Sequence, residues 1–194
     1  MARPRSTTRD ELLTAIVQHV ATNGFGDLSL RPLAEAVGTS HRMLLFHFGS
    51  KEQLMVEVVR VVEAEQRAAV EQMVTTGEAG APLHDQMRKH WHQLLDPSLR
   101  NNIRLFFEVY ADALRGAGHA STFLDEVMGA WLPPVIAGLE RAGVASTDAA
   151  VDARLMLAMT RGLLLDLVTT GDTAAVDAAM QRFAAMYAAS TIPG

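Results

Sequence analysis

The sequence predicts an all-α protein: a short N-terminal head of three helices on a larger helical body. Three observations carry that expectation. Apolar residues recur at i, i+3, i+4 and i+7 in segment after segment. Alternating β-branched runs joined by two-residue hairpin turns are missing. Four helix-start signals, at Thr8, Ser29, Ser40 and Ser50, fall in the first fifty or so residues.

Thr8-Arg9-Asp10-Glu11 reads as a capping box, in which Thr8 and Glu11 satisfy each other's open backbone donors. Leu13, Ile16, Val17 and Val20 then make one apolar face, and Gly24 stops the helix. Phe25, just past the stop, is expected to anchor back onto the core. Ser29 opens a second helix carrying Leu30, Leu33, Ala34 and Val37. Pro32 is tolerated there because the first turn has no N–H bond to lose. Gly38 ends it, and Ser40 caps a short third helix from His41 to about His47. Ser50-Lys51-Glu52-Gln53 is a second capping box, opening a long helix towards Val74.

In the body, Gly77 to Pro82 reads as a break, followed by helices over Leu83–Leu95, Leu99–Leu114 and Ser121–Arg141. Pro133-Pro134 is expected to kink or split the last of these. Ser146 or Thr147 caps a strongly apolar helix to Thr170, and Thr173–Ala189 closes the chain. The expected domains are 1–51 and 52–194.

Composition narrows the class. Apolar residues make up 49% of the 194 residues and charged ones 20%, which excludes a disordered or collagen-like chain. Cysteine is absent, so disulfides and thiolate chemistry are ruled out. No apolar signal segment follows the N-terminus. The longest stretch without charged, amide or histidine side chains, Val127 to Leu139, is too short to span a bilayer. A cytoplasmic location is expected. The net charge of −5 divides unevenly: residues 1–51 hold six Lys or Arg against four acids (+2), and residues 52–194 eleven against eighteen (−7). A mildly basic head on an acidic body suits a polyanionic partner.

Leu30 to His47 has the layout of a helix-turn-helix, whose second helix enters the DNA major groove. With Leu44 turned inward, His41, Leu45 and Phe48 fall near the core side. Arg42, Met43, Phe46 and His47 fall on the other. Arg42 can read guanine O6 and N7 bidentately, while Ser40 and Lys51 suit phosphates.

At these residues the chain resembles the TetR family of bacterial transcriptional regulators. The matching pieces are the first helix, Ser29-Leu30-Arg31-Pro32-Leu33-Ala34, Gly38-Thr39-Ser40, and Leu44-x-x-His47-Phe48-Gly49-Ser50-Lys51-Glu52-x-Leu54. The resemblance implies a homodimer that binds a palindromic operator and responds to a small ligand in the body. Carried over by position, it implies base contacts from Arg31 and from His41, Arg42 and Met43, and phosphate contacts from Ser29, His47 and Lys51. Thr39, Ser40 and Phe46 complete the expected DNA-facing set. Leu45 stands where the family commonly has a tyrosine on the DNA backbone.

The body holds no nucleophile elbow, zinc-protease helix or phosphate-cradling glycine loop, so no catalytic, cofactor or metal residues are expected. His84, His90 and His92 do not converge from one helix: His90 and His92 lie about 160° apart around the axis. Aromatic and Met residues, among them Phe106 and Met156, gather in the middle of the body. They serve either as core or as the wall of an apolar cavity. The candidate ligand contacts are Trp91, Arg104, Phe107, Tyr110, Met128, Trp131 and Met159. The last two helices carry wide apolar faces, which read as a subunit interface through Leu155, Gly162, Leu163 and Leu167, then Val176, Met180, Phe183 and Tyr187. The family's dimer is similarly built from its last two helices. Arg161 and Asp166 are unusual charges in that run. The expected function is a ligand-responsive regulator, most simply a repressor. The alternative is a helical small-molecule-binding protein or enzyme whose head does not bind DNA.

Overall fold

The computed structural model describes residues 8–25, 29–76, 83–120 and 122–190. Among them are nine α-helices and no strand: α1 (Arg9–Asn23), α2 (Leu30–Ala36), α3 (His41–Phe48), α4 (Lys51–Thr76), α5 (Leu83–Leu94), α6 (Arg100–Leu114), α7 (Phe123–Arg141), α8 (Ser146–Thr170) and α9 (Thr173–Ser190). The expected break at Gly77–Pro82 lies outside the described residues.

Local chemistry sets the head. The Thr8 hydroxyl accepts from the Glu11 N–H at 3.2 Å while the Glu11 carboxylate accepts from the Thr8 N–H at 2.9 Å, so the capping box is complete. Gly24 ends α1 at φ 76°, where a side chain would be strained. Ser40 caps α3 by accepting from the Met43 N–H, and Ser50 accepts from the Gln53 N–H at the start of α4. Ser29 precedes α2 in an extended conformation but makes no side-chain cap. Phe25 is buried as expected, and the Lys51 ammonium sits 5.6 Å from its ring centre.

Pro133 and Pro134 lie inside α7, which is one continuous helix, so of the expected kink or split the split is excluded. One expectation in the body is corrected. The N-cap of α8 is Ala145, with Ser146 already helical, so neither Ser146 nor Thr147 caps it.

One buried cluster joins Ile16, Leu33 and Leu44 of the head to Val58, Leu105 and Phe123 of the body. The middle of α4 belongs to both. Its Glu57 pairs with Arg9 of α1 at 2.9 Å, and its Arg60 pairs with Glu126 of α7 at 2.7 Å. In the body α7 packs on α4 and α8, and α5 lies against α9. A second cluster, Trp91 and Leu94 with Leu167, Val176 and Met180, ties α5 to the α8–α9 pair.

Candidate nucleic-acid interface and body cavity

Helix α3 is held by one edge. Leu44 and Phe48, four residues apart, are buried, and the rest of this eight-residue helix is exposed apart from the half-buried His47. Ser29, Arg31, Ser40, His41, Arg42, Met43 and Phe46 are exposed, with Thr39, His47 and Lys51 half-buried. Arg42 and Phe46 share a face, and Phe46 is 77% exposed. The face assignment fails at two residues: Leu45 is 38% exposed and His41 is also outside, because two anchors are all the head's core accepts from so short a helix. His47 is drawn partly inward. Its Nε2 is covered and without a hydrogen-bond partner, beside Arg9, Phe48 and Glu57.

The body holds a partly open cavity of about 180 Å³, walled by α4 to α9. Trp91 and Trp131, two of the candidate ligand contacts, are among its lining residues. Arg104, Phe107, Tyr110 and Met159 are not. The cavity face of α6 is Asn102, Ile103 and Phe106, which leaves Arg104 in solvent and turns Phe107 and Tyr110 onto the main core. Met159 is half-buried on α8 away from the lining. The Met128 side chain lies outside the described residues.

The polar part of the wall was not foreseen. Glu63 accepts a hydrogen bond from the Trp131 indole N–H at 2.6 Å. Burial pushes its carboxyl above the ordinary range, against the pull of that bond and of the Arg161 and Arg67 charges. Burial also lowers Arg161, with Glu63 opposing the shift, so the two charges support each other inside the wall. His90 is shifted down by burial, which favours the neutral imidazole. The three histidines of α5 therefore part: His90 lines the cavity, His84 stands beside Asp85, and His92 lies 3.4 Å from Asp177 of α9. Among the described residues no group of three or more His, Asp or Glu is placed to hold a metal. No described helix is long and apolar enough to cross a membrane.

The late helices divide differently from the expectation. Leu167, Val176, Met180 and Tyr187 are buried within the protomer, because α5 and α7 already cover that stripe. Tyr187 donates to Asp152 at 2.6 Å, tying α9 to α8. Leu163 and Phe183 are half-buried, while Leu155 and Gly162 are exposed. Val151, Leu165 and Met186 also point outward, of which sequence reasoning passed over Val151 and Leu165. On α8 they fall into register as Val151, Leu155, Ala158, Gly162 and Leu165, spaced by four and three residues in turn. On α9, Ala175, Ala179, Arg182, Met186 and Ala189 repeat the same spacing. That spacing places each set along one exposed face of its helix.

Residues 12–58, which span α1 to the first turns of α4, match the family model of bacterial regulatory proteins, tetR family. The head is similar to that of the TetR family. The whole chain shares its fold with solved regulators. A transcriptional regulator from Rhodococcus sp. RHA1 matches at a TM-score of 0.72 and 20% identity, covering 96% of this chain and 100% of that one. A TetR transcriptional regulator from Legionella pneumophila matches at 0.67 and 16%, covering 95% and 99%. Salmonella enterica GusR matches at 0.63 and 22%, covering 95% and 96%. No curated protein matches in sequence.

Proposed function

We propose that this chain is a TetR-family repressor that binds a palindromic operator as a homodimer and is released by a small apolar or aromatic molecule in the body cavity. The observation that carries the reading is the position of α4. Its Glu57 is ion-paired to α1 of the head, and its Glu63, fewer than two turns further on, is part of the cavity wall. A molecule that repacks that wall acts on the helix that seats the head. The four-three stripes of α8 and α9 support a dimer built as a four-helix seam. In this reading Arg31, His41, Arg42 and Met43 face base edges, with Phe46 beside them. Ser29, Thr39, Ser40, His47 and Lys51 face phosphates. Leu155, Gly162, Leu163 and Phe183 meet the partner, and the cytoplasm is the compartment where the operator is met.

A gel shift against the DNA flanking the protein's own gene tests the reading, with a thermal-shift screen supplying candidate ligands. A retarded band that fades as a stabilising ligand is added supports it, since linkage makes the two effects reciprocal. No band at low salt overturns it.

A further inference from the structure

Helix α3 turns an aromatic ring straight out to solvent. Leu44 and Phe48 fix its buried edge, and at about 100° per residue Phe46 falls about 180° from the midpoint between them. Phe46 is therefore the outermost point of the helix. Among the described residues it is also the most exposed large apolar side chain. By the same geometry Met43 flanks it on one side and Arg42 on the other, with Leu45 beyond Arg42, and all three are exposed. The ring lies edge-on to the His47 imidazole, 5.1 Å away, and outside the head's core cluster. An apolar patch left open to water marks a surface that a partner covers.

Two observations point to the partner. The first is charge. α3 holds no acidic residue, Arg42 stands one turn before Phe46, and Arg31 of α2 is exposed in the same mildly basic head. A cationic rim around an apolar centre suits a polyanion. The second is the choice of side chains. The exposed residues of α3 are His41, Arg42, Met43, Leu45 and Phe46, with neither an amide to pair with adenine nor a carboxylate to pair with cytosine. Arg42 suits guanine, and the apolar group that the major groove presents is the C5-methyl of thymine.

We infer that Phe46 is a specificity-determining residue of α3 and that it reads thymine by packing on the C5-methyl group, beside a guanine held by Arg42. This rests on the head being the DNA-binding part of the proposed repressor. Covering one methyl group is worth about fourfold in affinity, hence about fifteenfold for a dimer on two half-sites.

The test removes thymine methyl groups from the DNA. The fragment flanking the protein's own gene and a scrambled fragment are each made with thymidine or with deoxyuridine, and binding of the full chain to all four is measured by gel shift. The readout is the flanking-to-scrambled affinity ratio, because a general change in duplex stiffness acts on both fragments. Wild type should lose about tenfold or more of that ratio on deoxyuridine DNA. Phe46→Ala should start from a lower ratio and lose no more than about threefold on the exchange, and Phe46→Leu, which keeps an apolar tip, should fall between them. A wild-type ratio near one on thymidine DNA, a ratio that survives the exchange, or an undiminished loss in Phe46→Ala overturns the inference. So does a Phe46→Ala chain with an unchanged DNA ratio and an altered oligomeric state by light scattering, which would give the patch to a protein partner. No band on thymidine DNA at low salt removes the repressor reading and this inference together, whereas a specific band indifferent to the methyl groups removes the inference alone.

Discussion

The indole N–H of Trp131 on α7 donates to the Glu63 carboxylate on α4 at 2.6 Å, across one wall of the body cavity. The bond joins the cavity to the helix that also pairs with the head through Glu57 and Arg9. It places a half-buried carboxylate where sequence periodicity shows one more solvated acid.

Glu63 makes stability depend on pH in a definite direction. Burial holds its carboxyl above the ordinary value of 4.5, so folding favours the protonated form. The penalty for ionisation is absent below the unfolded value, grows as pH rises towards the folded value, and is complete above it. Urea melts of wild type and Glu63→Gln across a pH series should show the difference moving in the variant's favour as pH rises through that window. A difference that stays flat would mean that the carboxyl is not held out of water.

Filling the cavity should separate ligand response from DNA binding. Val62 is half-buried on α4 and lines the cavity. Val62→Phe should abolish the thermal shift given by a stabilising ligand and leave operator affinity within about threefold, a change of under 1 kcal/mol. Equal loss of both activities would point to damage in the main core.

The dimer seam and the protomer core are expected to respond differently. A side chain at Gly162 meets nothing within 4 Å, so Gly162→Glu should fold normally. It should give monomers by light scattering, with operator binding lost because two half-sites must be engaged together. Leu167, fully buried in the protomer, should behave otherwise: Leu167→Ala should cost about 2–5 kcal/mol of folding stability through the cavity it leaves. A dimeric Gly162→Glu sinks the seam.

In the head, readout and anchoring separate by salt. Arg42→Ala and Arg31→Ala should each lose about 1–3 kcal/mol on operator DNA and relax preference at one position. Lys51→Ala should weaken operator and scrambled DNA alike and lower the salt slope by about one. The check is binding of each variant to both DNAs across a salt series. An operator-to-scrambled ratio that neither arginine variant changes would mean that α3 does not read base edges.

Ser40 has a structural role that can be measured without DNA. Its hydroxyl accepts from the Met43 N–H at 3.2 Å, so Ser40→Ala should cost about 1 kcal/mol in a denaturant melt, and Ser40→Asp should restore most of it.

Much of the head was legible because its determinants are local. A cap such as Thr8 with Glu11, or a stop such as Gly24, is a matter of a few neighbouring residues and of the backbone angles they allow. Helical spacing likewise identified Leu44 and Phe48 as neighbours on one face. The family pattern added the expected partner, and it did so through the same local pieces. Where local chemistry was weak, the expectation slipped: Ser146 is an eligible cap, yet Ala145 takes the N-cap position with no side-chain bond.

The sequence by itself determined which segments are helices and that several carry more apolar surface than one face needs. Only the tertiary structure decided what covers each face. Leu167, Val176 and Met180 repeat with the periodicity of an interface, but α5 crosses them with Trp91 and Leu94 and makes them core. The stripe left outside runs from Val151 to Leu165, offset by part of a turn. The same rule separates Asn102, Ile103 and Phe106, which line the cavity, from Arg104, Phe107 and Tyr110 on the same helix. Periodicity states that a face exists, whereas burial of that face depends on contacts between helices distant in sequence, which no local pattern of residues encodes.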